Sequence, residues 1–176
     1  MLRQLGSGDH RGLETTFSNL HAEARRTRDY STLRHIYGEL FQSPQRDRVR
    51  YAEDWWLAQP ESLYANTAMA WVHHGRSFLY RDREVQSLVS EEGRRGFRRE
   101  VEKATIALRR AHKADPDFPP ALDAALLVAQ TSGQVFGADP ILDRLFEEAP
   151  DVFSLTRALN TYAMRWGHPA QRSRTV

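Results

Sequence analysis

Apolar residues recur at helical spacing along this chain from Leu13 onward. Leu13, Phe17, Leu20 and Ala24 stand at i, i+4, i+7 and i+11, which predicts a helix over residues 12–28. Leu33, Ile36, Tyr37, Leu40 and Phe41 share one face of a second helix, with Asp29 placed to cap it. Ser43 before Pro44 predicts the start of a third, running to about Ala58 with Val49, Ala52, Trp55 and Trp56 inward. Pro60 breaks the chain, and a long helix is predicted from Glu61 toward Tyr80. Its small residues Ala65, Ala68 and Ala70 admit a close neighbour. Residues 81–96 are densely charged and hold Gly93 and Gly96, so a loop or loosened helix edge is expected there.

From Phe97 a further helix carries Val101, Ala104, Leu108 and Ala111 on one stripe and stops at Asp115-Pro116. Pro119-Pro120 opens the next, to about Thr131, with Leu122, Ala125, Leu126 and Ala129 inward. Residues 133–137 form a turn. Asp139-Pro140 starts a helix to Glu148, and a last one is predicted from Val152 to about Arg165. No stretch sustains period-two alternation, so no sheet is expected.

Two of these stripes repeat each other. Ala104, Leu108, Ala111 and Pro116 recur as Ala138, Leu142, Leu145 and Pro150, each 34 residues further on. A period of ~34 belongs to helix–turn–helix arrays of the tetratricopeptide (TPR) type. A single hairpin cannot bury its own apolar face, so such units stack. The expected fold is all-α, with TPR-like antiparallel hairpins stacked as a short α-solenoid of about seven helices. The expected organisation is a flexible N-terminus over residues 1–10, one domain over 11–168 and a flexible C-terminus over 169–176.

Composition narrows the chemistry. Apolar residues make up 40% and charged residues 27% of 176, a soluble globular balance. The longest apolar run, 124–129, is far short of the ~20 residues that span a bilayer. No apolar signal-peptide core precedes the first helix, so a cytoplasmic location is the expectation. With no cysteine, disulfides, thiolate metal sites and a cysteine nucleophile are excluded. The net charge is only +2, although nearly every basic residue is arginine, whose rigid fork suits carboxylates and phosphates.

The segment Trp56-Leu57-Ala58-Gln59-Pro60-Glu61-Ser62, followed by Ala65, Ala68, Trp71 and Arg76, resembles a bacterial family of unknown function with TPR-like repeats. So does the ending Ala163-Met164-Arg165-Trp166-Gly167. That family has an alanine-rich helix after a Trp…Pro-x-Ser start and a Met-Pro-Arg-Trp-Gly-Gly segment near its end. The likeness covers residues 50–168. The proline between methionine and arginine is missing here, and His168-Pro169 replaces the second glycine and its sequel. The resemblance implies the helical-repeat fold and no reaction.

Candidate sites follow from residue type and position. Aromatic residues concentrate around the long middle helix, so Tyr64, Trp71, His74 and Tyr80 are candidates for a partner-binding groove, joined by Arg165 and Trp166 at the end. His73 and His74 are adjacent, project ~100° apart on a helix and have no ligand at i+4, so no metal site is expected. Arg95, Arg98, Arg99 and Arg110 fall near one side of a helix and form an alternative anion-binding stripe. Glu91, Glu92, Glu100 and Glu102 interleave with them, which argues against nucleic acid. There is no GxSxG, P-loop or dinucleotide glycine pattern. The sequence therefore predicts a non-catalytic, cofactor-free module for another protein or peptide, with homo-oligomerisation as a structural alternative.

Overall fold

The computed structural model describes residues 2–43, 45–81, 89–133 and 138–162. Among them every regular element is a helix. In chain order these are α1 (Leu2–Ser7), α2 (His10–Thr27), α3 (Ser31–Phe41), α4 (Arg46–Ala58), α5 (Leu63–Arg81), α6 (Glu91–Ala114), α7 (Pro119–Ser132), α8 (Ala138–Glu148) and α9 (Val152–Tyr162). The described residues thus hold nine helices where about seven were expected.

Two of the differences have local causes. The first ten residues, expected to be flexible, hold α1 and the first residue of α2, because Leu5 finds a buried site. Asp9 then caps α2, its carboxylate accepting from the Gly12 N–H at 2.9 Å. Residues 91–96, expected as loop, are the opening of α6. Ser90 caps it by accepting from the Gly93 N–H at 3.0 Å, and Glu91 and Glu92 sit at its positive end. Gly96 does not break this helix. It lets α6 pass the Tyr80 ring, where a Cβ would come within 2.2 Å of a ring carbon.

The turn between α4 and α5 is stitched by side chains. Ser62 accepts from the N–H groups of Tyr64 and Ala65, both at 3.1 Å. Asn66 donates to the carbonyls of Pro60 and Ser62, and its own carbonyl accepts from the Trp56 indole at 3.0 Å. The Trp…Pro-x-Ser segment is therefore a turn lock.

Packing repeats a single rule. The pairs α3–α4, α5–α6 and α7–α8 are hairpins, and α9 follows them. The first helix of each hairpin packs on the first of the next: α3 on α5, α5 on α7, α7 on α9. Each second helix packs on the following first helix: α4 on α5, α6 on α7, α8 on α9. This is the stacking of a TPR-like solenoid. Ala104, Ala111, Ala138, Leu142 and Leu145, five members of the 34-residue repeat, are all buried at these crossings.

The stack is not open. α3 also packs on α5 and α7, and α2 meets α5 where Phe17 and His21 contact Tyr64. Phe17, Phe41 and Phe118 are fully buried in an aromatic centre with Tyr37 and Trp55, each Phe contributing roughly 1.5–3 kcal/mol. α5 crosses the end of α3 so closely that a Cβ on Gly75 would stand 2.1 Å from the Gln42 carbonyl oxygen.

One ionic cluster ties the early helices to the late ones. Arg34 of α3, 3% exposed, grips the buried Asp123 of α7 with two bonds of 2.7 and 2.8 Å. Its other arm donates to Asp151 at 2.5 Å and to the Ser154 hydroxyl at 3.1 Å. Arg157 of α9 adds a bond to Asp123 at 3.2 Å. Burial works against the Arg34 charge, and the carboxylates of Asp123 and Asp151 outweigh it, so its pKa rises.

Candidate functional site

The aromatic residues expected in a groove are mostly inside the protein. Trp71 is 2% exposed; its indole donates to the Pro120 carbonyl at 3.0 Å and the Arg157 guanidinium lies over its ring. Tyr64 is half-buried against Phe17, Phe118 and His21, with its hydroxyl 3.3 Å from His21 Nδ1. His74 is buried, Nε2 lying 3.1 Å from the Thr131 hydroxyl. That hydroxyl donates to the Leu127 carbonyl, so His74 carries its proton on Nε2. Nδ1 is then a buried acceptor without a partner among the described residues. Burial, reinforced by the charge of Arg157, lowers the His74 pKa to about 4. Tyr80 is half-buried between Gly96 and Arg99. Arg165 and Trp166 lie outside the described residues. Among the described residues, Trp71 and His74 are thus buried rather than groove-lining, and Tyr64 is covered by α2.

The arginine stripe is broken up in a similar way. Arg95 is exposed and unpaired among the described residues. Arg98 stands 3.7 Å from Glu91. Arg99 donates to the Tyr80 hydroxyl at 3.3 Å and covers its ring. Arg110 lies over the Trp56 ring, 5.4 Å from its centre. Two of the four are stacked on aromatic rings of the protein itself.

A second ionic cluster joins α5 to α6. Glu100 is fully buried; His73 Nδ1 lies 2.8 Å from it, Arg76 Nε 3.4 Å and Lys103 Nζ 3.5 Å. Burial lowers the His73 pKa against the pull of Glu100. Burial also raises that of Glu100, and the hydrogen bond from His73 with the charges of Arg76 and Lys103 reverses the effect. A neutral His73 therefore donates from Nδ1 to a carboxylate. Residues 73 and 100 are 27 apart, and only the Glu100–Lys103 spacing of i, i+3 hints at the cluster in the sequence.

One of the concave surfaces lies between α6, α7 and α8. It is a groove of about 480 Å³. α7 forms its floor with Ala121, Leu122, Ala125, Val128 and Ala129; α6 walls one side with Leu108 and Arg109, and α8 the other with Ile141 and Arg144. These positions arise from the repeat, since α6 and α8 are successive second helices whose separation leaves Ala125 and Ala129 of the otherwise buried α7 partly exposed. Arg144 bonds the exposed Asp117 at 3.0 Å. Asp115 at one end is held by Arg25 at 3.3 Å, with His21 3.7 Å away. Burial lowers the His21 pKa, opposed by Asp115. Arg109 is exposed and has no ion pair among the described residues.

Among the described residues no group of three or more His, Asp or Glu side chains could hold a metal ion. Among the same residues no helix is long and apolar enough to cross a membrane. Compared with protein-family models, curated proteins and solved structures, the chain matches none.

Proposed function

We propose that this chain is a non-catalytic module that recognises another protein or peptide in the groove between α6, α7 and α8. The carrying observation is the apolar lining of the groove, where Ala125 and Ala129 of α7 are partly exposed between the walls of α6 and α8. Concave apolar surfaces with a few polar groups at the rim are the usual form of a recognition site. α2 and α3 pack over Tyr64 on α5, which supports a binding surface away from that face. His73 and Glu100 are engaged with each other and with Arg76 and Lys103, which supports a structural role for that pair.

The test is a peptide-display selection against the whole chain, repeated on Ala125→Trp, whose indole fills the trough. Peptides selected on the parent should lose at least about tenfold in affinity for the variant, equivalent to ~1.4 kcal/mol. Thermal melting of both proteins shows that the fold is retained. Peptides that bind both proteins alike, or a selection that enriches none, overturns the proposal.

A further inference from the structure

The groove constrains the conformation and the charge of what enters it. Its floor is helix side chain, with no strand edge alongside. An extended peptide lying there would leave its amide and carbonyl groups without partners, a cost of order 1–3 kcal/mol for each one buried. A helix satisfies those groups within itself. From Ala121 to Ser132 the floor runs roughly 16 Å, the length of about three helical turns. Alanines at 121, 125 and 129 stand one turn apart along that floor, so a second helix axis can approach closely.

The rim sets the sign of the charge. Arg109 on the α6 wall is unpaired among the described residues, Arg144 on the α8 wall is paired only with the exposed Asp117, and His112 lies one turn beyond Arg109. Asp115 is already held by Arg25. The nearest acid before Arg109 on α6 is Glu102, seven residues away. The α6 rim therefore carries an unpaired cation, Arg109, beside the apolar floor, whereas on the α8 side Asp117 answers the charge of Arg144.

We infer that the groove takes an amphipathic helix of about three turns, apolar toward α7 and carrying carboxylates along its α6 side that meet Arg109. Arginine forks bind carboxylates in pairs of hydrogen bonds, and such rim contacts set register and partner choice. The inference rests on the groove being the binding surface.

The test uses two synthetic helical peptides with the same leucine–alanine stripe, one flanked by glutamate and one by lysine, titrated into the whole chain at low and high salt. The glutamate peptide should bind about tenfold more tightly, and the gap should shrink as salt rises. Arg109→Glu, at an exposed and unpaired position, should abolish or invert the preference without changing the melting temperature. Equal affinity for the two peptides, a preference that Arg109→Glu leaves intact, or binding of neither peptide overturns the inference. Ala125→Trp separates the two levels. If it leaves both peptides bound, the groove itself is not the site; if it removes both while they bind the parent equally, only the charge assignment falls.

Discussion

Replacing Arg34 with methionine isolates the buried ionic cluster that links α3 to α7 and α9. Methionine keeps most of the volume and removes the charge. Asp123, 1% exposed, then loses two short bonds, and Asp151 and Ser154 lose one each. Removing one partner of a buried pair typically costs 3–5 kcal/mol, because the remaining charge is stranded. Arg157 stays on Asp123 at 3.2 Å and compensates part of it, which places the expected loss near ~3 kcal/mol. A domain of this size has an unfolding slope near ~2 kcal/mol per molar urea, so the midpoint should fall by about 1.5 M. Asp123→Leu should be similarly harmful alone, whereas the double replacement should lose at least ~2 kcal/mol less than the sum. Urea unfolding followed by circular dichroism measures all four proteins. A midpoint for Arg34→Met within ~0.5 M of the parent, or strictly additive single losses, refutes the reasoning.

Two further outcomes follow from the same coordinates. Gly75→Ala places a methyl against the Gln42 carbonyl and should destabilise by roughly 1–3 kcal/mol, while Gly38→Ala, with open space at its Cβ inside α3, should stabilise by roughly 0.4–1 kcal/mol; equal midpoints for the two variants would sink the close-crossing argument. His74 resists protonation in the fold until about pH 4 but accepts a proton near its ordinary 6.5 when unfolded, so stability should decline as pH falls through that window, by up to roughly 3 kcal/mol. His21 and His73, lowered in the same direction, add to the decline. Urea midpoints at neutral and acid pH should therefore differ less in His74→Gln than in the parent, and an unchanged difference rejects His74 as a contributor.

The helices were legible because burial imposes a period on side chains. The 34-residue repeat placed Ala104, Ala111, Ala138, Leu142 and Leu145 at crossings, where the structure buries them. Helix starts were less legible. α1 depends on a pocket for Leu5, and the glycines at 93 and 96 suggested a break where they serve a close pass by Tyr80. The aromatic residues were hard to place for a similar reason. Aromatic density around α5 looked like a binding surface, yet it is the centre of the protein once α2 and α3 fold over it. Nothing in local spacing pairs Arg34 with Asp123, 89 residues later, or opens a groove between α6, α7 and α8. Those facts belong to the way the hairpins stack.

A row of hairpins that touch only their immediate neighbours behaves as a spring, lengthening under load and letting go one coil at a time. Arg34 changes the mechanics of this one. It bolts the third helix to the seventh and ninth, so a pull on the far coil is felt at once by the near one. Coils that are not neighbours are thereby coupled, and under load they should give way together rather than one by one.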